Sequence, residues 1–544
     1  MNRNEILSSL KENPKVSVLI IGAGINGIGT FRDLALNGVD VLLVDRGDFC
    51  SGASAASSHM AHGGIRYLEN GEFRLVREAV QERNLMIQNA PHIVSPLPTT
   101  VPMFKYFSGL FNAPLKFMGW LDKPSERGSV IIKLGLMMYD AYTGKTRTVP
   151  RHKFFSRAES LRRWNQLNPD VANTATYYDG LISNPERLAL ELALDAEADN
   201  SNAHALNYVS MVGGGQDSIV LRDELTDETY EVIPDIVINA AGPWIDFANY
   251  NLGLSTRYVG GTKGSHIVVD NPELRAAIGG SEFFFENKDG RIVLIFPLHD
   301  RVLIGTSDIK IENPDEARCT DEEIEYFLGL VERVFPSIKV TPEQIVFRFT
   351  GVRPLGSSGA KTTGQYSRDH HIEVLSGDWT NLHFPVYSLV GGKWTSFRAF
   401  SEQVTDKVLD FLGKPRQKTT RDLPIGGGRG FSTNADEQKR QIDGFAAWTG
   451  LDKERLQVLY LRYGSRTEAV ATFMNRAADE PLKSAPEFTR REIMFLAQYE
   501  KIIHLDDLVL RRTMLAMLGR LTRDRIFEFA NVLGESLGLS LIHI

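Results

Sequence analysis

The stretch GAGINGIGTFRDLALNGVDVLLVD, residues 22–45, decides the fold of the N-terminal part of the chain. It follows a short apolar run, Val16–Ile21, which predicts a fully buried strand because it is rich in β-branched residues and ends at a glycine. Residues 25–37 predict a helix that ends at Gly38. Residues 39–44 predict a second buried strand. The segment is therefore predicted to be a β-α-β unit.

Three glycines in this stretch stand where a dinucleotide requires them. Gly22 allows a tight turn, Gly24 lets the backbone approach a pyrophosphate, and Gly27 lets the helix pack closely on the strand. The N-terminus of the helix then turns its positive dipole end toward the phosphates. Asp45 ends the second strand, 18 residues after Gly27, where a carboxylate can accept hydrogen bonds from a ribose hydroxyl. The residues predict dinucleotide binding; the alternative is a glycine-rich turn in an ordinary α/β sheet.

The whole chain has the composition of a globular protein. Its 544 residues are 42% hydrophobic and 24% charged, with a net charge of −7. Such a chain is expected to form two or three domains, and its charge argues against nucleic acid as a partner. The two cysteines, Cys50 and Cys319, form no C-x-x-C motif, so we expect neither a disulfide framework nor a cysteine zinc site.

Further absences in the sequence narrow the class of protein. The histidines, including His370 and His371, have no metal-ligand spacing, so we expect no metal. The N-terminus does not have the pattern of a signal peptide, and no apolar stretch is long enough to span a membrane. Together with the low cysteine content, this pattern predicts a cytoplasmic protein.

The middle of the chain has the pattern of a sheet. Residues 70–90 and 321–335 have helical periodicity, but few helices separate the strand-like runs between them. These runs are Ser218–Arg222, Ile236–Asn239, His266–Val269, Ile292–Pro297 and Val302–Gly305. We therefore predict a mostly antiparallel sheet inserted into the nucleotide-binding domain.

The end of the chain has a different pattern. The stretch IGGGRG at 425–430 has the composition of a linker. Helical periodicity follows at Arg490–Lys501, Leu505–Leu518 and Arg523–Leu537. We predict that residues 1–425 form the nucleotide-binding domain with the interleaved substrate-binding domain, and that residues 430–544 form a separate helical domain.

The segment SGASAASSHMAHGGIRYLENGEFRLV, residues 51–76, carries the most specific signal. Its small and hydroxyl side chains predict a loop that can wrap closely around a large rigid ligand. The segment resembles the FAD-dependent glycerol-3-phosphate dehydrogenases, which belong to the glycine oxidase and D-amino-acid oxidase fold group. Further motifs that match the family in the same order are NAAGPW (239–244), KGSHIVV (263–269), GTSD (305–308), TGVRPL (350–355), GGKWTSFR (391–398) and LDDLVLRRT (505–513). The resemblance therefore covers almost the whole chain.

The resemblance implies FAD as a cofactor that stays bound. It also implies an α/β fold: an FAD-binding Rossmann-like domain with an inserted, mostly antiparallel β substrate domain, plus a C-terminal α-helical domain. The residues expected at the cofactor are Gly22, Gly24, Gly27, Asp45, Ser54, Ser57, Ser58, His62, Gly63, Gly64, Gly242, Gly391, Gly392 and Thr395. The chain departs from the family pattern at Trp394 and Ser396, where leucine and threonine are usual, and at His59–Ala61. These departures bear on substrate preference rather than on the cofactor.

The family's reaction is the oxidation of sn-glycerol 3-phosphate to dihydroxyacetone phosphate. A hydride passes to flavin N5 and a proton passes to a base. By resemblance, His266 faces the substrate and is the expected proton acceptor, with His62 as a competing base and a strand-capping histidine as the alternative. Arg353 is expected over the flavin, in contact with a substrate oxygen or phosphate, unless it is a structural arginine. Lys393, after two glycines at a helix start, is expected to place its charge near N5 or to hold the substrate, unless it is exposed to solvent.

A phosphorylated substrate also requires a cationic clamp, for which the planar fork of arginine is well suited. By resemblance, Arg66 and Tyr67 lie on the substrate side of the flavin. We expect Arg66 to bind phosphate or a substrate oxygen, with Tyr67 as a hydrogen-bond partner; a surface arginine paired with a nearby glutamate is the alternative. Arg368 could complete the clamp, or it could form a salt bridge with Asp369.

Residues 103–123, MFKYFSGLFNAPLKFMGWLDK, mix aromatic and apolar residues with lysines, a pattern typical of a segment at a membrane surface. Across residues 101–138, a region longer than is usual in the family, five basic and two acidic residues give a net charge of +3. This charge favours an anionic bilayer surface. A buried loop or a part of the substrate domain's core is the alternative, and Pro114 and Gly119 argue against one long helix.

Because the family's usual electron acceptor is a membrane quinone, the sequence predicts an FAD-dependent quinone glycerol-3-phosphate dehydrogenase at the inner face of the cell membrane. The nearest alternatives are a glycerol-3-phosphate oxidase that uses oxygen and a dehydrogenase of another polyol phosphate. Two more distant alternatives are an amine or amino-acid oxidase of the same fold group and a flavin-binding sensor without turnover. The sequence leaves the oligomeric state open, with a homodimer as one expectation, and assigns no role to the C-terminal helices.

Overall fold

Two β-sheets, with helices packed against them, form the first three quarters of the chain, and helices form the last quarter. The fold is given by a computed structural model. The structure describes residues 1–65, 72–105, 129–143, 148–287, 292–356, 369–377 and 380–540.

The strands within these ranges are β1 (Lys15–Ile21), β2 (Val41–Val44), β3 (Met60–Ala61), β4 (Val94–Met103), β5 (Lys153–Ser156), β6 (Asn173–Ile182), β7 (Ala203–Leu206), β8 (Val209–Gly214), β9 (Ile219–Asp223), β10 (Thr229–Asn239), β11 (Thr262–Val269), β12 (Glu282–Glu286), β13 (Ile292–Leu298), β14 (Arg301–Gly305), β15 (Ile309–Lys310), β16 (Ile345–Arg353), β17 (His371–Leu375) and β18 (Val386–Val390).

The α-helices within them are α1 (Arg3–Glu12), α2 (Ile25–Leu36), α3 (Phe73–Asn89), α4 (Ser129–Thr143), α5 (Arg157–Arg163), α6 (Pro185–Asp199), α7 (Ile245–Asn251), α8 (Pro272–Ile278), α9 (Asp321–Val334), α10 (Phe397–Leu412), α11 (Ala435–Thr449), α12 (Lys453–Tyr463), α13 (Thr467–Met474), α14 (Arg490–Tyr499) and α15 (Arg523–Leu537). A π-helix spans Asp507–Arg512.

The first sheet holds the predicted β-α-β unit. Its strand order is β17-β18-β10-β1-β2-β7, and the neighbours from β18 to β7 run parallel. The carboxyl ends of β1, β2 and β10 therefore lie at one edge, where open α/β sheets bind ligands. Helix α2 packs between α6 and α10 on one face, and its apolar side chains join those of β1 in a single buried core.

The second sheet is mostly antiparallel. Its main path is β15-β11-β14-β13-β12-β4-β6-β3, with β16 paired to β11 and β5 paired to β6. Among the described strand pairs of this second sheet, β12–β4 alone is parallel. Helix α9 covers one face, where Phe327 and Val331 are fully buried against strand residues such as Ile267 and Ile295. The strands of the two sheets alternate along the chain, so the second sheet is inserted into the first unit. The predicted fold class is confirmed.

The C-terminal helices enclose a core of their own. Leu459, Tyr460, Leu496 and Phe529 are fully buried in it. The glycine run before these helices is a packed joint rather than an exposed tether, since a Cβ at Gly427 would lie 2.0 Å from the carbonyl oxygen of Tyr463. Among the helices of the described ranges, none is long and apolar enough to cross a membrane.

The predicted helix over Leu505–Leu518 is wrong in its extent. The chain leaves helical geometry at Thr513, after the π-helix, and turns lead on to Gly519. This break lets Met517 and Leu518 pack against Phe296 and Val268 of the second sheet. The requirement to fill that apolar contact overrides the local helical pattern.

Candidate active site

A cavity of about 770 Å³ lies between the carboxyl edge of the first sheet and strands β11 and β16 of the second. This volume falls within the range of about 300–1,000 Å³ that is usual for ligand pockets. The predicted site residues that line it are Gly22, Gly24, Asp45, Ser54, Ser57, Ser58, His62, Gly242, His266, Arg353, Gly391, Gly392 and Lys393. Residues separated by up to about 370 positions along the sequence are thus brought to one place.

Four of the predicted cofactor residues do not line this cavity. They are Gly27, Gly63, Gly64 and Thr395. Three predicted substrate residues, Arg66, Tyr67 and Arg368, lie outside the described residues.

The glycine turn has the geometry of a dinucleotide cradle. Gly22 has φ +105°, and a Cβ there would lie 2.6 Å from the carbonyl oxygen of Ala240. A Cβ at Gly27 would lie 1.9 Å from the carbonyl oxygen of Gly22, which explains why Gly27 packs behind the cavity rather than lining it. Gly24 is the N-cap of α2 and has no side-chain cap. The backbone N–H groups at the helix start therefore suit the phosphates of a dinucleotide.

Asp45 binds the turn directly. The backbone N–H of Ala23 donates to Asp45 Oδ2 over 2.7 Å, and that of Gly47 donates to Oδ1 over 2.9 Å. Burial raises the pKa of Asp45 to about 6, although these two N–H groups oppose the shift. The carboxylate lines the cavity, and its remaining lone pairs can accept a hydrogen bond from a ribose hydroxyl.

The loop over residues 51–58 connects three parts of the site. Ser54 Oγ accepts a hydrogen bond of 3.0 Å from the backbone N–H of Ile25, the first residue of α2. Trp394 Nε1 donates to the carbonyl oxygen of Ser54 over 2.9 Å. Ser58 Oγ and His266 Nε2 share a hydrogen bond of 2.9 Å. Trp394, at which the chain departs from the family pattern, thus directly contacts the loop that borders the start of α2.

A buried network holds the backbone at Gly63. Its N–H donates to Asp179 Oδ1 and to the hydroxyl of Tyr139, in two hydrogen bonds of 3.0 Å each. The Tyr139 hydroxyl donates to Asp179 and accepts a bond of 3.0 Å from Arg83. A Cβ at Gly63 would lie 2.1 Å from the Tyr139 hydroxyl. Gly63 therefore faces this network, and the adjacent His62 faces the cavity.

The turn after β18 is held by a residue that sequence reasoning missed. Gly391 and Gly392 have φ of +79° and +94°, in the left-handed region that favours glycine. Asn26 Nδ2 donates to the carbonyl oxygen of Gly391 over 3.2 Å, and a Cβ at Gly392 would lie 2.2 Å from the same nitrogen. Asn26 lies within the glycine-rich motif, in a position that the motif leaves unspecified.

Thr395 and Lys393 continue this turn. Thr395 Oγ1 donates to the carbonyl oxygen of His62 over 3.0 Å, so it joins two walls of the site. Lys393 lines the cavity, and its charge acts on His370 and Glu78. It lies on the turn before α10, which begins at Phe397, and is half-buried rather than exposed to solvent.

His266 lies on β11, stacked on Phe349 with ring centroids 4.9 Å apart. Burial, followed by the charges of Arg353 and His59, lowers the pKa of His266 to about 3, so the imidazole is neutral near pH 7. Its Nδ1 is buried and has no hydrogen-bond partner within the described residues. Because a pKa of about 3 describes a weak base, the neutral imidazole can take a proton near pH 7 only when a bound anionic ligand raises that pKa.

Arg353 ends β16 beside His266. Its Nη2 donates to Thr306 Oγ1 over 2.9 Å, and Nη1 lies 3.4 Å from Asp308 Oδ1. These bonds hold the guanidinium at the cavity wall, where 28% of the side chain is exposed. The arginine is anchored by the protein and is also accessible to a ligand.

The described residues contain no group of three histidine, cysteine, aspartate or glutamate side chains that could hold a metal ion.

Known proteins match this chain in both sequence and fold. The FAD dependent oxidoreductase family matches residues 17–384, and the C-terminal domain of alpha-glycerophosphate oxidase matches residues 418–541. A glycerol-3-phosphate dehydrogenase from Synechocystis sp. is 32% identical over 93% of this chain and 90% of its own length. An aerobic glycerol-3-phosphate dehydrogenase from Staphylococcus haemolyticus is 30% identical over 94% of this chain and 89% of its own.

Two solved structures have the same fold. The glycerol-3-phosphate dehydrogenase from Bacillus halodurans complexed with FAD has a TM-score of 0.75 at 23% identity, covering 99% of this chain and 94% of its own. The L-alpha-glycerophosphate oxidase from Mycoplasma pneumoniae with FAD bound has a TM-score of 0.54 at 16% identity, covering 75% of this chain and 97% of its own.

These matches confirm the resemblance inferred from the sequence motifs. The cradle at Gly22 and Gly24, with Asp45 beside it, fits the dinucleotide part of FAD. The chain is therefore an FAD-dependent oxidoreductase and belongs to the FAD-dependent glycerol-3-phosphate dehydrogenase family.

Proposed function

We propose that the protein oxidises sn-glycerol 3-phosphate to dihydroxyacetone phosphate. The observation that carries this proposal is the meeting of a neutral His266 and an anchored Arg353 in the cavity that contains the dinucleotide cradle. A secondary alcohol phosphate needs a base for its hydroxyl and a cation for its oxygens. The names of the relatives from Synechocystis and Staphylococcus haemolyticus support the same substrate.

In the proposed reaction, bound FAD supplies the acceptor for the hydride that leaves the alcohol carbon. The negative charge of the bound substrate phosphate would raise the pKa of His266, and its neutral imidazole then takes the hydroxyl proton, which leaves the oxygen as the carbonyl of the product. Arg353 binds a substrate oxygen or the phosphate, and Arg66, Tyr67 and Arg368 are proposed to complete the substrate site. The positive charge of Lys393, on a turn of the cavity wall, would stabilise negative charge on the reduced cofactor.

Anaerobic reduction of the holoenzyme tests this proposal. Addition of sn-glycerol 3-phosphate is expected to bleach the yellow flavin spectrum, whereas glycerol and an amino acid such as glycine should leave it unchanged. Arg353→Ala is expected to raise the substrate concentration for half-reduction at least tenfold and to retain the flavin. Full flavin occupancy without bleaching by sn-glycerol 3-phosphate would refute the substrate assignment.

The electron acceptor is proposed to be a membrane quinone. After anaerobic reduction by substrate, a soluble ubiquinone analogue is expected to reoxidise the flavin faster than air-saturated buffer does. Rapid reoxidation by oxygen, with stoichiometric peroxide, would instead identify the protein as an oxidase.

Contact with an anionic membrane surface is part of the same proposal. Most of residues 103–123 lie outside the described residues, but the adjoining helix α4 exposes two large apolar side chains, Leu134 at 62% and Met137 at 55%. The basic charge of residues 101–138 supports attraction to anionic lipids. Binding is expected to vesicles that contain phosphatidylglycerol, to fall with added salt, and to weaken in Leu134→Ser/Met137→Ser. Equal binding to purely zwitterionic vesicles would contradict the proposed attraction of this region to anionic lipids.

A further inference from the structure

Two consecutive arginines of the C-terminal region reach into the nucleotide-binding domain. Arg512 Nη1 and Nη2 bind Asp48 Oδ2 and Oδ1 over 2.6 and 3.0 Å, and Arg511 Nε binds Asp48 Oδ2 over 2.6 Å. Asp48 and Arg512 are buried, with side-chain exposures of 0% and 1%. The two arginines end the π-helix, a rare geometry that is frequent at functional sites. A charge cluster of this kind forms only while the C-terminal helices are docked.

Asp48 lies in a loop, residues 45–50, that is bonded to the glycine turn at both of its ends. At one end, Asp45 accepts the bond from the backbone N–H of Ala23. At the other, the backbone N–H of Cys50 donates to the carbonyl oxygen of Ala23 over 2.9 Å. Ala23 lies between Gly22 and Gly24, so any shift of this loop moves the backbone that cradles the dinucleotide.

A second connection reaches the same place from the C-terminal region. Asn207 Nδ2 donates to Asp48 Oδ1 and to the carbonyl oxygen of Lys501, each over 2.9 Å. The hydroxyl of Tyr208 donates to Asp507 over 2.6 Å, and its backbone N–H donates to the carbonyl oxygen of Gly47 over 2.9 Å. Asp48 is therefore held from two sides, and both sides include residues of the C-terminal region.

The electrostatics of the cluster fit a permanently charged anchor. Burial alone would raise the pKa of Asp48, but the charge and hydrogen bonds of Arg512, and then the charge of Arg511, lower it to about 2. If the arginines were removed, a buried carboxylate would lose its compensation, and the loop would have to move Asp48 toward water or take up a proton.

We propose that Arg511 and Arg512 are positioning residues for FAD: docking of the C-terminal helices fixes the 45–50 loop, and through it the affinity of the glycine turn for FAD. This assigns a role in cofactor retention to the motif LDDLVLRRT, for which the sequence offered none. The inference rests on FAD as the cofactor and is independent of the substrate.

The structure supplies a matched control. Arg187 of α6 forms another buried ion pair with the C-terminal region, in which Nη1 and Nη2 bind the Glu500 carboxylate, the latter over 2.8 Å. Within the described residues neither side chain of this pair bonds to the 45–50 loop. The backbone carbonyl of Glu500 does accept bonds of 3.0 and 2.9 Å from Arg512 Nε and Nη2, but Arg187→Lys leaves that carbonyl in place. Arg187→Lys and Arg512→Lys are therefore the same change in two buried pairs at the same junction, and only Arg512 binds a side chain of the 45–50 loop.

The test is titration of the full-length apoprotein with FAD, followed by flavin fluorescence. Arg512→Lys and Asp48→Asn are expected to weaken FAD binding at least tenfold, and Arg187→Lys less than twofold, even where all three lower the melting temperature of the apoprotein. An equal loss of affinity in Arg187→Lys would reduce the role of the arginines to general stability and overturn the proposal. Unchanged affinity in Arg512→Lys and Asp48→Asn would also overturn it.

A second measurement needs no variant and so avoids failure of a variant to fold. Because coupling between two sites is reciprocal, FAD must stabilise the docked arginines as much as they stabilise its binding. Amide hydrogen exchange over residues 505–513 of the wild-type protein is expected to slow at least tenfold when FAD is added to the apoprotein. Helix α15 packs on α14 and makes no hydrogen bond to the 45–50 loop within the described residues, so its exchange is expected to change less. Exchange in 505–513 that does not respond to FAD would refute the proposal.

Discussion

Gly264 and Gly305 show how single residues shape this site. A Cβ at Gly264 would lie 2.2 Å from Arg353 Nη2, and a Cβ at Gly305 would lie 2.3 Å from the ring of His266. Both glycines lie in motifs that carry the family resemblance, KGSHIVV and GTSD, but the resemblance assigns neither of them a role. Each provides the space that a neighbouring strand's functional side chain occupies, so their identity follows from cross-strand packing that the sequence alone cannot display.

The change Gly264→Ala tests this account of Arg353. The guanidinium would have to move away from the new methyl group. This movement would break the proposed charge-assisted contact between Arg353 and the substrate, and the loss of such a contact costs about 1.5–3 kcal/mol of binding free energy. We expect KM for sn-glycerol 3-phosphate to rise about tenfold or more, with FAD affinity unchanged. Steady-state kinetics and flavin titration measure the two effects.

Gly280→Ala is the control for that change, since a Cβ at Gly280 meets nothing within 4 Å. It should leave KM as in the wild type. An unchanged KM in Gly264→Ala would mean that Arg353 does not contact the substrate and that its bonds to Thr306 and Asp308 are its whole role.

At the scale of elements, the strength of the local pattern decided which predictions succeeded. The strand before the glycine motif is a run of β-branched residues that ends at a glycine, and the helix after it ends before Gly38. Both elements form within a residue of the predicted bounds. Strand β4 was missed because VSPLPTTVPM contains three prolines, which normally exclude a ladder position. It nevertheless pairs with β6 along its whole length. The network around Gly63 could not be predicted, because its members come from α3, α4 and β6.

The change Tyr139→Phe tests what helix α4 contributes to the site. The hydroxyl of Tyr139 bonds to Gly63, Asp179 and Arg83, so its loss leaves buried polar groups of α3, β6 and the loop after β3 partly unsatisfied. We expect the free energy of unfolding to fall by about 1–3 kcal/mol. We also expect bound FAD to dissociate faster, because Gly63 adjoins His62 at the cavity. Chemical denaturation and the rate of flavin release measure these effects.

Tyr177→Phe is the matched change, since Tyr177 is equally buried and packs edge-on against Tyr139 at 5.7 Å. Within the described residues its hydroxyl makes no bond to Gly63, so flavin release should remain at the wild-type rate. Faster release in Tyr177→Phe as well would attribute the effect to packing of the two rings rather than to the hydroxyl of Tyr139.

At the scale of the whole molecule, the two interleaved sheets bury carboxyl groups in very different surroundings. Glu323 receives hydrogen bonds from Lys263 and Ser307, which outweigh the effect of burial and lower its pKa. Glu282 has only Thr99 as a hydrogen-bond partner within the described residues, and burial, together with the charge of Asp179, raises its pKa to about 8. The sequence marks neither as buried, because Glu323 lies in an amphipathic helix and Glu282 stands at the very start of β12, after a serine.

These two glutamates should therefore affect stability with opposite sign. Between its usual pKa near 4.5 and about 8, Glu282 keeps a proton in the folded protein that the unfolded chain has lost, so folding becomes less favourable as pH rises through that window. Glu282→Gln removes this penalty and is expected to raise the melting temperature at pH 9 while changing it little at pH 5. Glu323→Gln should lower the melting temperature at both pH values, because the stabilisation from a depressed pKa is present throughout that range. Thermal unfolding with excess FAD at the two pH values measures the effects of both substitutions. If Glu282→Gln gives no more stability at pH 9 than at pH 5, then water or a local rearrangement already solvates the Glu282 carboxylate in the wild-type protein.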